Sequence, residues 1–104
     1  MFRTFFAWWR RGGRPPLAHL QVILYTRRGC HLCETAQDQI ERARRREGFA
    51  LQTIDVDTDP QLVALYGEQV PVITVNGKLR FRGGVNAVLL KRLLVAERRR
   101  GSKS

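Results

Sequence analysis

Apolar and polar positions along this chain follow two periods, and the period changes several times. Val22, Ile23, Leu24 and Tyr25 form a short apolar run rich in β-formers, which predicts a buried strand. Thr26 to Gly29 make a loop. From Cys30 to about Glu47 the spacing becomes helical. Leu32, Ala36, Ile40 and Ala43 recur every three or four residues, and charges fill the other positions. Phe49 to Val56 predicts a second strand, with Leu51 and Ile54 among its apolar members. Asp59 followed by Pro60 is a helix start: a side-chain cap, then a residue whose missing N–H costs nothing there. That short helix runs to about Tyr66 and stops at Gly67. Val70 to Val75 and Leu79 to Arg82 are two more strands, and Asn76-Gly77 between them is a two-residue hairpin signal. Gly83-Gly84 interrupt the chain. Asn86 to about Arg98 is the last helix, with Val88, Leu89, Leu93 and Ala96 assigned to one face.

The predicted order is β-α-β-α-β-β-α. The early β-α-β favours parallel pairing through a crossover, whereas the hairpin demands antiparallel pairing. A mixed sheet covered by helices follows. The 104 residues suit one domain, placed at 20–98, with an extension and linker at 1–19 and a polar basic tail at 99–104. Arg10 to Pro16 reads as linker, because Gly-Gly and Pro-Pro both break regular structure.

Charge sharpens this division. The chain carries a net +10, but residues 1–20 hold four Arg and no acid, and residues 91–104 hold six basic residues and one acid. Residues 21–90, with nine basic and eight acidic residues, are nearly neutral. A nucleic-acid-binding domain would carry its basic face on the fold itself, so none is expected as a partner. Arg42, Arg44, Arg45 and Arg46 read as a solvated helix end, where the helix dipole favours cations, with a docking patch as the alternative. Residues 1–9 hold Phe2, Phe5, Phe6, Trp8 and Trp9, flanked by Arg3, Arg10 and Arg11. This is the composition of a membrane-interface anchor. A segment folded back on the domain, or a disordered one, is the alternative. No apolar run approaches the ~20 residues of a membrane span, and no secretory signal is present. The expected location is cytoplasmic, with a weak membrane-surface contact through residues 1–14.

The chemistry is expected at Cys30 and Cys33. A Cys-x-x-Cys pair beside a β-α-β pattern is a redox motif. The loop after the first strand puts Cys30 at the start of a helix, where unpaired N–H groups and the dipole stabilise a thiolate. Arg27, Arg28 and His31 add positive charge nearby. Cys33 lies almost one helical turn on and is expected to be the more buried thiol. Thiol–disulfide exchange is the implied mechanism: Cys30 attacks a substrate disulfide, and Cys33 then releases the reduced substrate. A four-ligand zinc site lacks its second half, with only His19 and His31 as histidines. An iron–sulfur cluster shared between two chains and a pair of inert core cysteines are the other readings.

Three segments resemble glutaredoxins, in particular short bacterial glutaredoxin-like proteins with a Cys-His-Leu-Cys centre. They are Ile23 to Cys33, Gln69 to Gly77 with its Val-Pro step, and Arg82 to Asn86 with its Gly-Gly turn. The resemblance spans roughly Leu20 to Ala96. It implies a thioredoxin-like α/β fold: a four-stranded mixed sheet with helices on both faces. It implies Cys30 as nucleophile and Cys33 as resolving thiol, with glutathione as electron donor and no bound metal or cofactor. By position, Arg27 would hold the glycine carboxylate of glutathione, and the Val70 backbone, beside Pro71, would pair with the bound peptide. Gly83, Gly84 and the helix start at Asn86 would hold the γ-glutamyl end. His31 is a tuning residue by the motif. The Val70–Pro71 bond is expected to be cis. Three departures stand out. Asn86 and Ala87 replace an acid, His31-Leu32 replaces Pro-Tyr, and the Asp57–Gln69 segment is short. The function expected is a monomeric thiol–disulfide oxidoreductase acting on protein or glutathione mixed disulfides. A thiol carrier served by a thioredoxin-type reductase and a redox-inactive peptide-binding module are the alternatives.

Overall fold

The computed structural model describes residues 17–102. Within them lie β1 (Gln21–Thr26), α1 (His31–Glu47), β2 (Ala50–Asp55), a 3-10 turn (Val56–Thr58), α2 (Pro60–Tyr66), β3 (Val72–Val75), β4 (Lys78–Arg82) and α3 (Ala87–Ser102). The predicted order is the observed one. The aromatic segment and most of the linker lie outside the described residues.

The four strands form one sheet in the order β2-β1-β3-β4. β1 pairs parallel with β2 and antiparallel with β3, and β3 pairs antiparallel with β4. Asn76 and Gly77 close the hairpin at φ 50° and 83°. Both values are positive, as a turn matched to the twist of the strands requires, and glycine meets that at no steric cost.

Alternation along the strands sorts residues to two faces. Val22 and Leu24 of β1, Ile73 and Val75 of β3 and Phe81 of β4 face α1 and α3, where they join Ala36, Ile40, Leu90 and Leu94 in the main core. Tyr25 faces the other side and packs its ring against Tyr66 of α2, with centroids 4.7 Å apart. Helices therefore cover both faces, as a thioredoxin-like α/β fold has them. Burial, followed by the Tyr66 phenol, pushes the Tyr25 pKa above the ordinary tyrosine range. The neutral phenol is thus favoured in the fold. The unfolded chain loses this proton first as pH rises, so stability is intact below the ordinary tyrosine value and falls above it. Denaturant melts through that range should show this fall, and Tyr25→Phe should reduce it.

Four details differ from the reading of the sequence. β3 begins at Val72 rather than Val70, since Pro71 has no N–H for a ladder and its carbonyl accepts Gly83 N–H at 2.9 Å. α1 turns Cys33, Ala36, Ile40 and Ala43 inward, and Leu32 is 58% exposed. Of the face assigned to α3 only Leu93 is buried, together with Leu90, Leu94 and Glu97: Val88 is 61% and Leu89 50% exposed. Arg44 is buried and bonds Glu41 at 2.9 and 3.3 Å, so it is no solvated helix end. Leu17 is fully buried in the core, and α3 continues to Ser102.

Candidate redox site

Cys30 is the N-cap of α1, in extended backbone conformation, and its Sγ accepts the N–H of Cys33 at 3.1 Å. A side chain at this position meets one of the donors that a helix start leaves unpaired. Here the acceptor is the reactive sulfur itself. Cys30 and Cys33 form a disulfide, with Cα atoms 5.2 Å apart. Cys33 is 3% exposed, whereas Cys30 is only half-buried. One cysteine is partly open to solvent and its partner is shielded from it.

Val70 and Pro71 are joined by a cis bond, as expected from the sequence. The Gly83 N–H donates to the carbonyls of Gln69 and Pro71, both at 2.9 Å. This fastens the Gly-Gly turn to the Val70–Pro71 loop. Gly83 and Gly84 have φ of 75° and 154°, values that side-chain-bearing residues rarely adopt. Asn86 caps α3: its Oδ1 accepts the Leu89 N–H at 3.0 Å and its carbonyl accepts the Leu90 N–H. Ala87 and Val88, in the first turn, have no intrahelical acceptor for their N–H groups.

Arg27 and His31 differ in what they touch. The Arg27 guanidinium donates to both carboxylate oxygens of Asp57 at 3.0–3.2 Å and to the Gly67 carbonyl at 3.0 Å. The hydrogen bond to Asp57 raises the Arg27 pKa, and the Asp57 charge adds to this. Arg27 therefore ties the loop before Cys30 to the 3-10 turn and the end of α2. Asp57 was missed in the sequence. A signal existed in the parallel register of β1 on β2, which pairs Thr26 with Asp55 and so places their following loops side by side. His31 points into solvent, 98% exposed, with Nδ1 3.8 Å from Glu34. Among the described residues, no three His, Cys, Asp or Glu side chains converge as a metal site would need.

The model of the Glutaredoxin-like domain (DUF836) family matches residues 21–95. An uncharacterized protein of Mycobacterium tuberculosis (strain ATCC 25618 / H37Rv) is 36% identical over 63 residues. That alignment covers 56% of this chain and 65% of the relative, so the chain matches just under two thirds of the relative's length. Among solved structures, protein XcR50 from X. campestris superposes with a TM-score of 0.60 at 31% identity, over 72% of this chain and 96% of that one. Protein Ne2328 from Nitrosomonas europaea gives 0.61 at 25%, over 71% and 89%. A thioredoxin from Halobacterium salinarum, 22% identical, gives 0.59 over 75% and 74%, a likeness of fold alone.

Proposed function

We propose, from the premise that this chain belongs to the glutaredoxin-like domain family, that it is a thiol–disulfide oxidoreductase reducing protein or glutathione mixed disulfides. The observation that carries this reading is the partly exposed Cys30 at a helix N-cap, bonded to a buried Cys33. In the reduced chain the Cys33 N–H and the positive helix end favour the Cys30 thiolate. The thiolate attacks one sulfur of a substrate disulfide, and the other sulfur leaves as a thiolate and takes up a proton. Cys33, deprotonated, then attacks Cys30 Sγ. The second substrate sulfur leaves as thiol, and the Cys30–Cys33 disulfide remains. Two electrons pass from the pair to the substrate, and an external thiol must restore them. The loop at Val70–Pro71, fastened to the Gly-Gly turn, offers a backbone edge for an extended substrate.

Glutathione is the donor proposed first. Ala87 and Val88 supply first-turn N–H groups for a carboxylate, and Val70 supplies the backbone edge. Service by a thioredoxin-type reductase is the second reading, favoured by Arg27 being already held by Asp57 and Gly67. A coupled assay of a glutathione mixed disulfide, supplied by glutathione and glutathione reductase, separates them. Slow but measurable turnover is expected. Asn86→Asp should raise it about tenfold, because a charged acceptor for the glutathione amine outdoes a neutral one by roughly 1–2 kcal/mol. The cap is kept, since aspartate serves there equally well. Arg27→Ala should raise the KM for glutathione more than Asp57→Ala does if Arg27 touches the ligand. Equal effects would make Arg27 a positioning residue only. A wild type idle with glutathione but driven by thioredoxin reductase would establish the second reading.

A further inference from the structure

α3 has two apolar sides, and the fold uses only one. Leu90, Leu93, Leu94 and Glu97 face the core. Val88 and Val95, one 3.6-residue repeat and then another apart, lie on the opposite side of the helix. They line a shallow hollow of about 380 Å³ with Ala96, Lys91, Arg92 and Arg99. On one flank a groove of about 400 Å³ between α1 and α3 adds Arg42, Arg46 and Arg98. On the other flank, the hollow between α3 and β4 adds Arg80 and the exposed Leu89. Glu47 is the only acid lining these three depressions.

We propose that the outer face of α3 is a docking surface for an anionic lipid bilayer. An exposed apolar strip flanked by cations suits a bilayer interface: the valines enter the acyl boundary while lysine and arginine stems reach up to the headgroups. The charge is complementary to anionic lipid. Arg46, Lys91 and Arg92 spend none of theirs on an ion pair among the described residues. Residues 1–16 hold five aromatics and four arginines. One weak membrane signal gives marginal attachment and two give stable attachment. The basic valine face is one such signal, and the composition of residues 1–16 is a second.

The proposal is independent of the redox reading, and its test uses the full chain. Co-sedimentation is measured with phosphatidylcholine vesicles containing phosphatidylglycerol and with phosphatidylcholine vesicles alone. Binding to the anionic vesicles, weakened by salt, is expected, with little binding to neutral ones. Each cation near an anionic surface contributes about fivefold in affinity, so Lys91→Gln with Arg92→Gln should weaken binding roughly 25-fold. Val95→Ser should weaken it further. Disulfide reduction should be unchanged in these variants, which also verifies folding. Unchanged binding in the α3 variants, combined with its loss in Trp8→Ala/Trp9→Ala, would overturn the proposal and leave residues 1–16 as the sole anchor. So would equal binding to both vesicle types. Binding of poly-glutamate through α3, with none to vesicles, would overturn it in favour of an acidic polypeptide partner.

Discussion

Cys30→Ser should lower disulfide reduction by roughly a thousandfold or more, because a serine hydroxyl offers no usable nucleophile at neutral pH. Every step of the proposed exchange passes through this sulfur. Cys33→Ser should behave differently. It should lose turnover on protein disulfides, which need a second thiol for release, yet retain reaction with glutathione mixed disulfides, where free glutathione can act in its place. Alkylation by iodoacetamide at a series of pH values refines the same prediction. The reduced Cys33→Ser chain should titrate below the ~8.5 of a free thiol, because Cys30 sits at the α1 N-cap. The reduced Cys30→Ser chain should label slowly, because Cys33 is buried. If Cys33 labels first, or if Cys30→Ser keeps its activity, the assignment of roles is wrong.

Phe49→Ala should be the most damaging of the core truncations to stability. Phe49 lies between α1 and β2, is 1% exposed and belongs to the main core. Removing a buried phenylalanine costs about 3–5 kcal/mol, the lost transfer energy plus the cavity left behind. Small domains are stable by only about 5–15 kcal/mol, so most of the margin would go. For a domain of this size that is a fall in Tm of roughly 15–30 °C. Leu65→Ala, on the exposed side of α2, should change stability by no more than about 0.5 kcal/mol. Thermal and denaturant melts of the two variants check this. Similar losses in both would mean that the core is placed wrongly.

The sequence was legible where one physical cause dominated a stretch. Asn76-Gly77 has a backbone demand that few residues meet, and it is the hairpin turn. Asp59-Pro60 was read as a cap, and Asp59 Oδ1 accepts the Gln61 N–H at 2.9 Å. Legibility failed where two readings were locally equivalent. α3 has apolar residues at 87, 88, 89, 90, 93, 94, 95 and 96, so periodicity alone fixes no single inward face. Its phase is set by the sheet, through Phe81 and Val75. On α1, Leu32 and Cys33 are consecutive, and the start of the helix at His31 decides that Cys33 turns in. Arg44 falls within an arginine run whose members look alike until Glu41, one turn back, selects it.

The redox pair itself was legible because its chemistry depends on short-range geometry: two thiols three residues apart at a helix start. The surroundings were less so. Arg27 occupies the predicted place in the loop, but its contacts come from Asp57 and Gly67, thirty and forty residues away. A residue read as a ligand-binding cation is first of all a tie between the loop before Cys30 and the 3-10 turn and end of α2. Whether glutathione also reaches it is the question that the Arg27→Ala and Asp57→Ala comparison answers.

Intact-mass spectrometry of trapped intermediates tests the central claim most directly. The reduced Cys33→Ser chain is mixed with a disulfide substrate, and its mass is read before and after a reductant. The mechanism predicts one adduct per chain, carried by Cys30, held by a disulfide and removed by the reductant. Cys30→Ser, treated in the same way, should stay unmodified. An unmodified Cys33→Ser chain, or an adduct forming instead on Cys33 of the Cys30→Ser chain, would contradict it.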